Sequence, residues 1–157
     1  MGPIVLHGIN PLLHGDVLRL LDGAGHGNGI IVADGNFPAR ALGLPVVVMS
    51  TTDVAAAIRA TASVTPPDGH AEYAYRWMSP DPGAPAFDDT RQNEALAELR
   101  AWAGTMPGAP VARSAFYDVA RSCALVIQTI DHSPYCDFIL VKGVVVPASA
   151  QPVCGGD

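Results

Sequence analysis

The 157-residue chain contains few charged residues and no excess of basic ones. Charged side chains make up 15% of the sequence, and nine Lys and Arg against fifteen Asp and Glu give a formal net charge of −6. Without a basic stripe to neutralise phosphates, nucleic acid is an unfavourable partner. Apolar residues make up 49% of the chain. The low charge density is compatible with an oligomer that hides part of the surface, and equally with an alanine- and valine-rich interior.

The chain also lacks long apolar runs and a cysteine framework. No segment approaches the roughly 20 apolar residues that a membrane-spanning helix needs, and the first residues do not combine a cationic stretch, an apolar run and a cleavage site. The cysteines Cys123, Cys136 and Cys154 are odd in number and fit no disulfide spacing. These absences predict a cytoplasmic protein with reduced thiols.

Signatures of metal and phosphate sites are missing as well. The five histidines include no His-x-x-x-His pair, and no Cys-x-x-Cys accompanies them. The glycine-rich stretch 25–29 has no Lys-Ser/Thr pair and precedes an apolar run rather than a helix, which is unlike a phosphate-binding loop. We therefore expect no metal and no cofactor.

Apolar runs alternate with helical patterns along the chain. Continuous apolar runs typical of strands covered on both faces lie at 30–33 and 45–49. Further strands are predicted at 71–78, where the pattern partly alternates, and at 111–115, 124–130 and 138–146. Apolar residues at helical spacing predict helices over 17–24, 53–58, 88–103 and 116–122. Strands that alternate with helices predict an α/β protein with helices on the faces of its sheet.

The stretch 25–39 carries the clearest chemical signal. His26 stands between two glycines before the predicted strand 30–33, and Asp34 stands where that strand ends. Ligands of open α/β sheets bind outside the carboxyl ends of strands, and histidine titrates near neutrality. We therefore expect His26 and Asp34 to face one pocket suited to proton transfer. The ordinary alternatives are a loop histidine and a turn aspartate.

Several strings in the chain resemble, in order, those of the ribose pyranase / fucose mutarotase family, and of its fucose mutarotase branch in particular. They are Gly-His-Gly at 25–27, Asp-Gly-Asn-Phe-Pro-Ala at 34–39, Arg-Ser-Ala-Phe-Tyr at 113–117, Val-Ile-Gln-Thr at 126–129, and the segment 135–144. The resemblance covers about 9–145 and is loose over 80–110. It implies one Rossmann-like, three-layer domain over 1–146, with a mainly parallel sheet and helices on both faces. A Pro/Gly-rich tail would follow over 147–157.

The resemblance also implies roles for individual residues. His26 would be the general acid/base, with Tyr117 and Asp68 as its catalytic counterparts. The residues implied to contact the sugar are Asp34, Arg113, Met78, Tyr135 and Asp137. Asp68 and Met78 are the less secure matches, because Asp68 follows two prolines and precedes a glycine, as an ordinary turn aspartate does.

Three positions depart from the family pattern. Cys136 and Asp137 stand where the family has glycine and asparagine, and Asn28 stands where it commonly has an acid. An aspartate at 137 replaces an amide, which both donates and accepts, with an acceptor. These changes bear on which sugar the protein takes more than on the type of reaction.

The reaction that the resemblance implies is carried out by an isomerase. It is the interconversion of the α and β anomers of a free monosaccharide, with L-fucose as the first candidate, by acid/base-catalysed ring opening and reclosure. The alternatives are a D-ribose pyranase and a non-catalytic sugar-binding regulator. The resemblance further implies a homo-oligomer with its sites near subunit contacts, and no nucleic-acid or membrane partner is expected.

Overall fold

The computed structural model describes residues 6–147, so Cys154 and nearly all of the predicted tail lie outside the described part. The helices are α1 (Gly15–Gly23), α2 (Val54–Ala62), α3 (Thr90–Ala103) and α4 (Arg113–Arg121). The strands are β1 (Gly29–Ala33), β2 (Val46–Val48), β3 (Tyr75–Ser79), β4 (Gly108–Ala112), β5 (Leu125–Gln128) and β6 (Phe138–Val141). A short 3-10 helix, Ala39–Leu42, follows β1.

The six strands form one sheet in the order β2-β5-β1-β6-β3-β4. The pairs β2-β5, β5-β1 and β3-β4 are parallel, whereas β6 runs antiparallel to both of its neighbours, β1 and β3. The predicted mainly parallel sheet is therefore confirmed. Because β6 is reversed, its first residue lies at the sheet edge where the other strands end, and its last residue lies beside their starts.

Helices cover both faces of this sheet. Alternate side chains of β1 point to opposite faces: Ile30 and Val32 pack with α1, α2 and α3, whereas Ile31 and Ala33 pack with α4 and the 3-10 helix. Both faces of the central strands are thus buried, which explains why β1 is continuously apolar and why β5 is apolar up to Gln128. The structure confirms the predicted single α/β domain with helices on both faces.

Several element boundaries differ from the sequence-based prediction. β3 begins only at Tyr75, β4 lies at 108–112 rather than 111–115, and β6 ends at Val141 rather than at 146. After β6, Lys142 makes a single bridge to Pro67, and the Gly143 amide donates to the Pro66 carbonyl. The chain therefore leaves the sheet there, although its valine-rich sequence continues the strand pattern.

The residues that flank the helices set their ends. α1 is flanked by His14 and Ala24, and Ala24 already has an extended backbone. The α2 N-cap is Asp53, whose side chain accepts a hydrogen bond from the Ala55 amide at 3.0 Å. A carboxylate at this position satisfies an amide that has no partner within the helix.

Candidate active site

A cavity of about 360 Å³ lies at the sheet edge where the five parallel strands end. Asp34 follows β1, Met78 lies near the end of β3, and Arg113 begins α4 directly after β4. Residues 132–135 and 137, in the segment that connects β5 to the reversed strand β6, complete the lining. Six of the eight predicted site residues line this cavity: Asp34, Met78, Arg113, Tyr117, Tyr135 and Asp137.

The loop after β1 fixes the position of Asp34. Its Oδ1 accepts a hydrogen bond from the Asn36 amide at 2.8 Å, and the Gly35 amide donates to the Asp131 carbonyl at 2.7 Å. Such an aspartate turn directs the carboxylate away from the end of its strand. Asp34 is only 6% exposed, yet it lines the cavity.

Aromatic packing fixes the α4 side of the cavity. Phe37 stacks on Tyr117 with ring centroids 5.8 Å apart and an interplanar angle of 17°. The Arg113 guanidinium lies over the same Tyr117 ring, 5.7 Å from its centroid. Within residues 6–147, Arg113 forms no salt bridge. Its fork of donors is therefore available to hydroxyl groups of a ligand.

Tyr135 is held in an unusual backbone conformation. Its φ is +57°, the only positive φ of a non-glycine residue in the described chain. The left-handed region costs an ordinary residue roughly 1–2 kcal/mol. The Gln92 side-chain amide donates to the carbonyls of Tyr135 and Met78, each at 2.8 Å, and the Phe87 ring packs against Tyr135 at 4.6 Å. Gln92 thereby ties the two walls of the cavity together.

Three buried carboxyl groups lie at or beside the cavity. The Asp34 amide donates to Asp137 Oδ1 at 3.0 Å, so the Asp137 carboxyl group lies beside the backbone of Asp34. Burial raises the pKa of Asp34, and burial together with the Asp34 charge raises the pKa of Asp137 well above its usual range. Asp131 differs, since hydrogen bonds from Ser133 and Val54 lower its pKa in spite of its burial.

The two remaining predicted catalytic residues, His26 and Asp68, lie at the other edge of the sheet. His26 is exposed and precedes β1. The Gly27 amide donates to the Lys142 carbonyl at 2.7 Å, beyond the end of β6. Asp68 is 5% exposed, and a Cβ placed on Gly27 would lie 4.0 Å from its Oδ2. His26 and Asp68 therefore neighbour each other on the same edge.

The expectation that His26 and Asp34 face one pocket is not met within a single chain. His26 precedes β1 and Asp34 follows it, so the strand separates them, and five residues of strand span about 16 Å. Asn28, which stands where the family commonly has an acid, accepts a hydrogen bond from the Gly25 amide at 2.7 Å with its side-chain oxygen.

Three residues of the site were not predicted from the sequence. Gln92 has the appearance of one more polar residue in an amphipathic helix, although it falls on the buried face with Ala95 and Leu99. Asp131 and His132 follow the predicted strand 124–130 in the same way that Asp34 follows β1. That strand-end position was the available signal for both.

Over residues 6–147, no group of three or more His, Cys, Asp or Glu side chains is arranged to hold a metal ion. No helix in that part of the chain is long and apolar enough to cross a membrane. The thiols of Cys123 and Cys136 are free and buried. Burial raises the pKa of Cys123 to about 12, and the pKa of Cys136 is also raised.

Comparison with known proteins places the chain in a family. It is 28% identical over 141 residues to the L-fucose mutarotase of Actinobacillus pleuropneumoniae serotype 5b (strain L20), which covers 89% of this chain and 97% of that protein. The crystal structure of protein Atu2016 superposes with a TM-score of 0.80 at 32% identity, over 90% of this chain and 97% of the other. FucU from Bifidobacterium longum superposes with a TM-score of 0.80 at 27% identity, over 88% of this chain and 99% of the other. The model of the RbsD / FucU transport protein family matches residues 7–145. The chain belongs to that family.

Proposed function

We propose that the protein is a sugar isomerase that interconverts the α and β anomers of a free monosaccharide, with L-fucose as its first candidate substrate. The observation that carries the proposal is the cavity at the carboxyl edge of the sheet, which combines carboxyl groups, a guanidinium and two tyrosines. Relatives named L-fucose mutarotase support the choice of sugar. A cavity of about 360 Å³ is large enough for a monosaccharide.

The side chains in the cavity suit hydroxyl recognition and ring stacking. The Asp34 carboxyl group can accept hydroxyl hydrogen bonds, and Arg113 can donate to hydroxyl oxygens. Tyr135 presents an aromatic ring to the apolar face of a sugar. The Tyr117 ring lies against the guanidinium of Arg113. Met78 supplies an apolar, adaptable contact beside these polar groups.

Anomer exchange needs two proton transfers at neighbouring oxygens. A base takes the proton of the anomeric hydroxyl while an acid protonates the ring oxygen, and the bond between C1 and the ring oxygen breaks. The open aldehyde rotates about its C1–C2 bond, and reclosure on the other face returns both protons. Each positioned acid or base contributes about 10²–10⁴-fold to such a reaction.

His26 and Asp68 enter this scheme from a second copy of the chain. Within one chain, both lie at the sheet edge opposite the cavity, and His26 is exposed there. A homo-oligomer that joins unlike sheet edges of two copies would bring His26 of the second copy to the open side of the cavity. His26 would then act as the acid/base group and Asp68 would support it.

The test is saturation transfer between the anomeric protons of L-fucose, measured by NMR with and without protein. His26→Ala should lower the exchange rate by about 10²–10⁴-fold and leave the circular dichroism spectrum unchanged. A mixture of His26→Ala and Arg113→Ala, co-refolded so that subunits exchange, should recover part of the activity. Recovery requires an intact cavity and an intact His26 on different copies, so a mixture no more active than its components argues against the shared site.

D-ribose pyranase is the second candidate. Cys136 and Asp137 depart from the fucose-branch pattern beside the cavity, and both are buried, so a sugar of different shape would meet a changed wall. The same NMR measurement with D-ribose separates the two candidates. Sugar binding without faster exchange of either sugar would instead indicate a non-catalytic sugar-binding protein.

A further inference from the structure

The only lysine of the chain, Lys142, lies at the sheet edge that carries His26. It follows β6 directly, and its ammonium group donates hydrogen bonds to the carbonyls of Leu21, at 2.8 Å, and Ala24 at the end of α1. α1 has no basic residue in its own last turn. A cation there satisfies carbonyls that lack partners within the helix and interacts favourably with the helix dipole. Lys142 therefore fixes the end of α1 from a distant part of the sequence.

The backbone of Lys142 holds the other side of His26. The Lys142 carbonyl accepts a hydrogen bond from the Gly27 amide at 2.7 Å, and the Lys142 amide donates to the Asn28 carbonyl at 3.0 Å. Together with the ammonium contact to Ala24, these bonds attach the His26 loop (24–28) to one residue on both sides of His26. His26 is itself exposed, so its position depends on these attachments rather than on burial.

The neighbours of Lys142 in the chain hold Asp68 in the same way. The Asp68 amide donates to the Val141 carbonyl at 3.1 Å, and the Gly143 amide donates to the Pro66 carbonyl at 2.7 Å. The segment 141–143 therefore lies between the His26 loop and the segment that carries Asp68, and it is hydrogen-bonded to both. The spacing between His26 and Asp68 is thus set by the place of Lys142 and its two neighbours.

We propose that Lys142 is the positioning residue for His26, an inference that rests on the proposed function. Its ammonium group fixes the end of α1, from which the His26 loop departs, and so keeps the imidazole beside Asp68 and in reach of the cavity of the second copy. Lys142 acts through His26 and not on the sugar. An acid/base group works only within hydrogen-bond reach of its proton, and a displacement of about 1 Å can cost about 10²-fold in rate.

Lys142→Met tests this role. Methionine preserves most of the length and apolar contact of the lysine stem but has no hydrogen to donate. We expect kcat for L-fucose anomer exchange, measured by NMR saturation transfer at several sugar concentrations, to fall by about 10–10²-fold. KM should change by less than about threefold, because the sugar-binding side chains lie at the opposite sheet edge. Lys142→Arg, which can donate to the same carbonyls, should recover most of the lost kcat.

The matched control is Arg100→Met, which removes an exposed cation from the last turn of α3. Its kcat and KM should equal those of the wild type. A Lys142→Met protein with the wild-type kcat, or one whose loss appears only in KM, overturns the positioning role. A loss of kcat that Lys142→Arg repeats in full overturns it as well, because the donated hydrogen bonds would then not be what matters.

Amide hydrogen exchange distinguishes failure of this role from failure of the proposed function. The Gly27 amide, which donates to the Lys142 carbonyl, should exchange about tenfold faster or more in Lys142→Met than in the wild type, because the His26 loop opens more often. Unchanged exchange at Gly27 overturns the positioning role, whichever sugars respond. A wild-type protein that interconverts the anomers of no sugar refutes the proposed function, while faster exchange at Gly27 would still show that Lys142 holds the loop.

A measurement on the wild type covers the case in which Lys142→Met fails to fold. Because the chain has one lysine, its ammonium protons give one assignable set of NMR signals. Hydrogen bonds to two carbonyls should slow the exchange of these protons with water and should produce a scalar coupling from Nζ to the carbonyl carbons of Leu21 and Ala24. Ammonium protons that exchange as fast as those of a free lysine side chain overturn the proposal.

Discussion

Replacement of Gln92 by leucine should loosen the cavity and destabilise the fold. The Gln92 amide is buried in α3 and donates to the carbonyls of Met78 and Tyr135, each at 2.8 Å. Leucine fills a similar volume but leaves both carbonyls without this donor. A buried polar group left unsatisfied costs about 1–3 kcal/mol. With the lower end of that range for each carbonyl, the free energy of unfolding should fall by about 2 kcal/mol.

That loss corresponds to a decrease of about 4–8 °C in the unfolding midpoint of a domain of this size. Sugar binding should weaken as well, because Tyr135 would lose the contact that holds its carbonyl while its φ remains at +57°. Calorimetry measures both quantities, the midpoint in thermal scans and the dissociation constant in titrations with L-fucose.

Asn93→Ala provides the control for Gln92→Leu, since Asn93 is the exposed neighbour on the same helix. Such a surface change should alter stability by no more than about 0.5 kcal/mol. If Gln92→Leu unfolds at the same temperature as this control and binds sugar as the wild type does, Gln92 does not hold the two walls of the cavity together.

Two further substitutions and one labelling experiment test other parts of the structure. Asp137→Asn should raise the free energy of unfolding at neutral pH by about 1.4 kcal/mol for each unit by which the pKa of Asp137 is raised. The free energy of unfolding of the wild type is greatest below the ordinary aspartate pKa of 3.8 and decreases as the pH rises toward the pKa of Asp137 in the folded state. In urea titrations across this pH range, the free energy of unfolding of the variant should therefore depend less on pH. Gly29→Ala puts a Cβ 2.5 Å from Cys123 Sγ and should cost about 1–3 kcal/mol in thermal unfolding. The native thiols of Cys123 and Cys136 should resist alkylation at neutral pH, as followed by peptide mass spectrometry, because both are buried and their pKa is raised; rapid labelling would contradict that burial.

Much of the fold was predictable because its signals are local. Continuous apolar runs such as Ile30–Ala33 indicated strands buried on both faces, and the apolar spacing in α3 indicated its buried side. Strand direction is set by partners far away in the sequence, so nothing in the residues of β6 shows that it is reversed. The predicted end of β6 was also wrong. The bridge between Lys142 and Pro67, at which the chain leaves the sheet, joins residues that are far apart in sequence.

The contrast between local signals and distant contacts also explains which residues of the site could be predicted. Asp34 follows a parallel strand directly, so the rule that ligands bind at strand ends indicated its place in the cavity. Arg113 was implied only by the family resemblance, because the predicted strand 111–115 included it, whereas β4 ends at Ala112. His26 precedes β1, whereas Asp34 follows it. The two residues are close in sequence, but the strand between them places them at opposite edges of the sheet, so the prediction of one shared pocket was wrong for a single chain. Gln92 acts through two backbone carbonyls that are 14 and 43 residues away, and no pattern around it reports those contacts.

The central claim is that this cavity opens and recloses a sugar ring. The most direct test is the rate of exchange between the α and β anomeric protons of L-fucose, measured by NMR at increasing protein concentration. The exchange rate should rise in proportion to the concentration of wild-type protein and should return to the protein-free value with Arg113→Ala. A rate that stays at the protein-free value with the wild type, for L-fucose and for D-ribose alike, would contradict it.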